Sequence, residues 1–313
     1  MRLLTYSSTT AGASTRPSGS HADSGLKVGV AVEGGVVDLA TRMADVDDLV
    51  QLLADGRLSE AAAATRGAEA DESYDDIIFE RLVTAPTRIL CIGVNYGGRN
   101  AEYKDGAADA SYPSVFPRFA DSFTGHEQAL LRPPESPQLD YEGEIVAVIG
   151  TAGRRIPVAH ARRHLAGLSI GNEGTIRDWV RHAKFNVTQG KNWQCSGALG
   201  PWMTTMDEIG DLKDLQVQTR VNGELRQDDT TANMKYSIEY QIHYLSTFTT
   251  LLPGDVIFTG TPVGAGARFD PPRWLVPGDV VEVTVDGVGT LRNHIEDEFP
   301  DASGDHITAP DPQ

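Results

Sequence analysis

Two glutamates stand one residue apart at the head of an apolar run, Asp140-Tyr141-Glu142-Gly143-Glu144-Ile145-Val146-Ala147-Val148-Ile149-Gly150. Side chains alternate along a strand, so Glu142 and Glu144 share a face with Val146 and Val148. The opposite face carries Gly143, Ile145, Ala147 and Ile149, and a strand apolar on both sides belongs in an interior. Two carboxylates about 7 Å apart repel each other and are costly to bury unpaired. Either they are solvated charges at an exposed strand start, or something positive is held between them. A third acid, Glu173, follows in Gly171-Asn172-Glu173-Gly174-Thr175-Ile176-Arg177-Asp178-Trp179 and joins them if the two strands are neighbours. Three carboxylates suit a hard divalent cation, Mg2+ or Mn2+, with Ca2+ as a further option.

Other residue patterns add to this. Lys191, in Thr188-Gln189-Gly190-Lys191-Asn192-Trp193, is either a surface lysine or a group that binds an anionic oxygen and moves protons beside a metal. Thr259 to Gly266 is a glycine-rich loop after a strand, suited to presenting N–H groups to an oxyanion or to making a structural turn. It lacks the Gly-Lys-Ser/Thr ending of a P-loop. Asn95 and Tyr96 fall at a strand end, and Arg99 and Glu102 are three apart, facing one way on a helix as a surface ion pair or as site groups. The chain has no HExxH, no G-x-S-x-G and no Ser/His/Asp order, which argues against a zinc protease or serine hydrolase.

These groups need a scaffold. At 313 residues the chain has room for one large domain and a smaller one. Asp and Glu number 44 against 27 Lys and Arg, a net charge of −17, so nucleic acid and anionic membrane are poor partners. A small anionic substrate remains compatible if a few cations converge in one cleft. Cys91 and Cys195 show no CxxC spacing and read as free buried thiols of a reducing cytoplasm. No apolar run reaches a membrane span, and the first residues carry no apolar signal core.

The pattern of the chain predicts an α+β protein dominated by short strands. A short strand at Arg2 to Tyr6, a mobile loop over 7–25, a hairpin over Leu26 to Ala40 and a helix broken at Gly56 form a small N-terminal α/β unit over 1–85. Residues 86–297 follow as the larger, strand-rich domain and 298–313 as a disordered acidic tail. Within 86–297, Asn222-Gly223 marks a hairpin, Ser237 to Leu251 an amphipathic helix, and Asp286-Gly287 a second hairpin. A helix is expected near Arg99 to Lys104.

Taken in order from about Arg88 to Asn293, these stretches resemble the fumarylacetoacetate hydrolase family, in its 2-hydroxyhepta-2,4-diene-1,7-dioate isomerase-like branch. The segments that carry the resemblance are ILCIGVNY, LDYEGEIVAVIG, GNEGTIRDW, QGKNW, RVNGELRQDDTTANM, LLPGDVIFTGTPVGAG and PGDVVEVTVDGVGTLRN. It implies a mixed β-roll core, a homodimer, and a bound Mg2+ or Mn2+ on Glu142, Glu144 and Glu173. Glu173 stands where the family usually has Asp. The resemblance also places Arg118, Arg177, Thr261 and Tyr96 on the substrate and Lys191, Glu102 and Arg99 in catalysis. Relatives commonly carry His at the position of Arg99, paired with the Glu that remains here as Glu102, and often Gln where Val180 stands. An arginine has no acceptor and cannot be a general base. The expected activity is an enolate-type reaction on a small 2-oxo or β-diketo acid, ending in C–C hydrolysis or isomerisation. A catalytically altered binding subunit and a biosynthetic enzyme for a larger polyketide-like substrate are the alternatives.

Overall fold

The computed structural model describes residues 1–9, 25–46, 48–98, 111–182 and 186–299. Arg99 and Glu102, the helix expected around them, and all of the tail beyond Phe299 lie outside these residues. The N-terminal strand β1 (Arg2–Ser8) pairs with β2 (Leu26–Val32), which turns into β3 (Gly35–Asp38). Two short helices, α1 (Leu49–Ala54) and α2 (Leu58–Ala64), separate on either side of Gly56 and lead to β4 (Glu72–Ser73) and β5 (Ile77–Phe79). Next come β6 (Ile89–Gly93), β7 (Ser114–Pro117), β8 (Phe123–Thr124), β9 (Leu130–Arg132), β10 (Leu139–Asp140) and β11 (Gly143–Ile149). They are followed by β12 (Leu165–Asn172), β13 (Thr175–Ile176), α3 (Thr188–Lys191) and β14 (Gly197–Thr205). The hairpin β15 (Gln216–Val221) and β16 (Glu224–Thr230) turns at Asn222-Gly223 as expected. Helix α4 (Ile238–Phe248), β17 (Val256–Phe258), and the hairpin of β18 (Val280–Val285) and β19 (Gly289–Asp297) complete the described chain.

The strand-rich α+β class holds, and the sheets are mixed. The main sheet runs β4-β3-β2-β1-β14-β12-β11-β17-β6-β7, with β5 on β1 and β8 on β14. Most neighbours are antiparallel, but β17 lies parallel to β6, and β14 to β8. A second sheet, β16-β15-β18-β19-β9, packs beside it, and β10 and β13 form a separate pair. Two details differ from the sequence reading. Ser7 and Ser8 belong to β1, not to a loop beginning at residue 7, because their backbones pair with Leu26 and with β5. The break in texture at residue 85 does not break the sheet, since β1 pairs with β14 through Arg2–Thr204 and Leu3–Met203.

Every residue of β11 is buried. Its alternation divides the interior: Ile145, Ala147 and Ile149 join the apolar layer of the second sheet, with Val217, Val283 and Leu291. Val146 and Val148 join the layer of the N-terminal strands and helices, with Leu3, Val28 and Leu52. Burying each valine or isoleucine contributes roughly 1.5–3 kcal/mol, and because both faces are apolar the register is decided by Glu144, whose carboxylate a one-residue slip would drive into the layer of the second sheet. That register fixes where Glu144 points, and Glu142 just before the strand.

Gly143 packs directly against the second sheet. A Cβ there would sit 2.0 Å from Thr219 Oγ1 and 3.0 Å from Val283 Cγ1. The Thr219 hydroxyl is itself buried without a hydrogen bond. Gly143→Ala is therefore expected to cost about 1–3 kcal/mol in urea unfolding, the scale of core overpacking. Adding Thr219→Ala should return most of that loss. Additive losses in the double variant would contradict this account of the contact.

Candidate active site

Antiparallel pairing of β11 with β12 opposes Glu144 to Gly171 and Gly143 to Asn172. Glu173 therefore emerges beside Glu142, and its N–H donates to the Glu142 carbonyl at 2.8 Å. The condition set by the sequence, that the two acidic stretches be neighbours, is met. Glu142, Glu144 and Glu173 are all buried, and one oxygen of each lies within 4.8 Å of the others.

The cations that approach them come from different elements. Lys191, at the end of α3, donates from Nζ to Glu142 Oε2 at 2.6 Å and stands 3.2 Å from Glu173 Oε1. Arg177 donates from Nη2 to Glu142 Oε1 at 2.6 Å and from Nε to Asp140 Oδ2 at 2.7 Å. Asp140 is buried and also accepts the N–H groups of Tyr141, Gly266 and Ala267. It thus anchors both Arg177 and the far end of the glycine-rich loop. Glu144 has no cation partner among the described residues; its Oε2 accepts the Gly260 N–H at 2.8 Å. Gly260 can supply that N–H because φ is +103°, and a Cβ there would fall 2.6 Å from Asn95 Cβ. Asn95 backs the turn, donating to the carbonyls of Thr259 and Tyr236.

Among the described residues, four carboxylates and three cations, the third being Arg118, make up this buried shell, so the acids outnumber the bases by one there. The imbalance falls on Glu144 and Glu173. Burial, then repulsion from Glu173 and Glu142, pushes the Glu144 carboxyl well above its ordinary value. Burial also raises Glu173, against the attraction of Lys191. For Lys191 burial pulls downward, but Glu142 and Glu173 together outweigh it and leave the ammonium more firmly protonated than usual. Glu173 Oε1 is buried and accepts no well-aligned hydrogen bond, although Lys191 and Arg118 stand at 3.2 and 3.8 Å. Three converging carboxylates with an unfilled acceptor and excess negative charge match the requirements of a divalent cation.

The carboxylates open on a cavity of about 230 Å³ that Arg177, Lys191, Thr261, Phe116, Val180 and Asn186 also line. Two residues expected on the substrate stand elsewhere. Arg118 lies behind Glu173, away from the cavity lining. Its guanidinium donates to Ser122 Oγ, Ser196 Oγ and the carbonyls of Gly174 and Ser122, and its plane lies over Phe123. Tyr96 is fully buried, and its hydroxyl has no hydrogen bond. Asp140 and Gln227 were given no role from sequence, and Asn95 was placed only at a strand end. Gln227 had a signal: it is the one buried residue of β16, a polar side chain in the inward phase of a strand whose other residues are exposed or half-buried.

Residues 88–296 match the fumarylacetoacetate (FAA) hydrolase C-terminal family. The chain belongs to the fumarylacetoacetate hydrolase family, whose members are hydrolases or isomerases and tautomerases, and it is an enzyme of that kind. It is 41% identical over 226 residues to the oxaloacetate tautomerase YisK of Bacillus subtilis, covering 71% of this chain and 74% of that one. It is 33% identical over 274 residues to the mitochondrial oxaloacetate tautomerase Fahd2a of Rattus norvegicus, covering 87% and 86%. Among solved structures, a putative HpcE protein from Mycobacterium smegmatis superposes with a TM-score of 0.77 at 30% identity, over 86% of this chain and 96% of that one. A fumarylacetoacetate hydrolase from Exiguobacterium antarcticum gives 0.75 at 29%, over 95% and 99%. No helix among the described residues is long and apolar enough to cross a membrane.

The charge imbalance has a measurable consequence. A carboxyl whose pKa is raised by folding binds its proton more tightly folded than unfolded. It therefore costs stability once the pH rises above the ordinary carboxylate range. Glu144→Gln keeps an acceptor for Gly260 and removes the charge. In EDTA at neutral pH this variant should be more stable than the wild type by roughly 1–3 kcal/mol, the scale for relieving an uncompensated buried charge. The gap should close as the pH falls toward the ordinary glutamate range. Thermal melts across that window test it, and a destabilised variant at neutral pH would contradict it.

Proposed function

We propose that this protein is a divalent-cation-dependent tautomerase of a small 2-oxo dicarboxylic acid, with oxaloacetate as the first candidate. The observation that carries the reading is the Lys191 ammonium held between Glu142 and Glu173 on the wall of a small cavity that also presents Arg177 and Thr261. The names of the relatives at 33% and 41% identity support the same reaction.

Glu142, Glu144 and Glu173 would hold the cation, with Mg2+ and Mn2+ preferred over Ca2+. When bound, such an ion supplies Lewis-acid polarisation of a carbonyl. In the keto-to-enol direction a proton leaves C3, its bonding pair becomes the C2=C3 double bond, and the carbonyl oxygen gains a proton. Lys191 stays an ammonium and steadies the negative charge that develops on that oxygen; its raised pKa makes it an electrostatic partner, not a base. Two of its three donors face carboxylates, which leaves one for a ligand oxygen. Arg177 and the Thr261 hydroxyl bind substrate carboxylate. Glu102 is the acid/base candidate at C3, with Arg99 orienting it or holding a carboxylate; both assignments rest on the resemblance.

C–C hydrolysis is the second reading, favoured by the fumarylacetoacetate hydrolase from Exiguobacterium antarcticum. It needs a base for water, and the position where relatives carry His is Arg99. Two assays separate the readings: decay of the ultraviolet absorbance of enol oxaloacetate, and cleavage of acylpyruvates, each with Mg2+, Mn2+ or EDTA. The tautomerase should accelerate the first in a cation-dependent way, and Lys191→Met should lower kcat by about 10²–10⁴-fold. Cleavage of acylpyruvate without tautomerisation would replace this proposal with the hydrolytic one. Unchanged turnover in Lys191→Met would remove the mechanism.

A further inference from the structure

We infer that Gln227 is a positioning residue that locks the Thr261 hydroxyl as a one-way hydrogen-bond donor into the cavity, and so selects a ligand with an anionic acceptor at that point. Gln227 is 1% exposed and its amide meets three partners. Oε1 accepts the Gly143 N–H at 3.0 Å. Nε2 donates to the Pro262 carbonyl at 2.8 Å and to Thr261 Oγ1 at 2.8 Å.

The two backbone groups settle which way the amide faces. A peptide N–H only donates and a carbonyl only accepts, so turning the amide over would break both contacts at once. Its NH2 group therefore faces Thr261, and Thr261 Oγ1 has to accept there. A hydroxyl that accepts from Nε2 keeps its own hydrogen for another partner. No protein acceptor for that hydrogen exists among the described residues, yet Thr261 is buried and lines the cavity. The hydroxyl is left as a donor aimed at whatever occupies the cavity, beside Arg177 and Lys191, which can also only donate. An anionic oxygen satisfies all three; an ammonium, which has no acceptor, would face a wall of donors at this spot.

The same side chain ties two pieces of the site together. Gly143 separates Glu142 from Glu144, and Thr261 follows the Gly260 N–H that binds Glu144. Gln227 thus couples the spacing of the carboxylates to the placement of the anion-binding hydroxyl, from a strand that contributes no residue to the cavity lining. The inference rests on the proposed site for where the ligand sits and not on the reaction that follows.

The test is a double-variant cycle read by calorimetric binding of oxalate, a dianion with no carbon to enolise, in the presence of Mn2+. Gln227→Glu keeps the shape and the acceptor for Gly143 but turns the donor toward Thr261 into an acceptor. The Thr261 hydroxyl then points at the new carboxylate and is lost to the ligand. Thr261→Val should weaken binding about 10- to 100-fold, the range for a hydrogen bond to a charged group. Gln227→Glu should do the same in the wild type and change affinity less than about threefold further in Thr261→Val, while Thr261→Ser restores binding. An equal effect of Gln227→Glu in both backgrounds would mean that it acts through charge or folding, and would overturn the inference; so would no effect at all. Gln227→Met, which adds no charge, serves as the second variant and should show the same dependence on Thr261. Absence of oxalate binding by the wild-type protein overturns the anionic ligand class. A failed tautomerase assay with an intact cycle overturns the reaction and leaves the donor in place.

Discussion

The site depends on one constraint: Glu144 projects from an interior strand whose other side chains are apolar, Glu142 immediately precedes that strand, and both must be made tolerable there. Isolated buried carboxylates cost far more than any single apolar contact returns. The surrounding chain answers that cost piece by piece. Lys191 and Arg177 fill the acceptors of Glu142, the Gly260 N–H fills one of Glu144, and Asp140 fixes the arginine that does part of this work. The loop after β17 is stitched back to the stretch that begins the strand, through Asp140, Tyr141 and Glu144. Among the described residues the compensation stops one charge short, and the strain of it shows on Glu144 and Glu173, two of the three carboxylates that line the cavity. A fold that only needed stability would have neutralised that last charge or replaced it with an apolar side chain.

How much of this was legible in the sequence follows from the kind of signal each feature leaves. The carboxylate group was visible because alternation put Glu142 and Glu144 on one face, and a single antiparallel pairing was enough to bring Glu173 alongside. Lys191, Arg177 and Thr261 were found through ordered motifs, and the structure brings all three to the cavity. Arg118 was found the same way but stands behind Glu173, because a motif says which residues are close without saying which side of a carboxylate they approach. Gln227 escaped notice because charged, exposed neighbours in β16 hid the one inward position. The continuity of the sheet across residue 85 left no trace in composition, since β1 and β14 meet through backbone hydrogen bonds that any side chains permit.

The position of Lys191 bears on which reaction this scaffold favours. A lysine that serves as a base must lose its proton near neutrality, which requires burial without a counter-charge. Here the ammonium is buried, yet two carboxylates lie within 3.2 Å and more than reverse the effect. The group is held as a cation and is suited to stabilising charge on oxygen, the step shared by every enolate route. Hydrolysis asks in addition for a base that activates water, and Arg99, where the family resemblance implies a histidine, has no acceptor. Tautomerisation asks only that a proton be moved between carbon and oxygen of the bound acid. The donors assembled around the cavity, Lys191, Arg177 and the Thr261 hydroxyl, all act on oxygen. The same neutralisation that makes Glu142 and Glu144 tolerable at the head of a core strand thus keeps Lys191 a cation on the cavity wall.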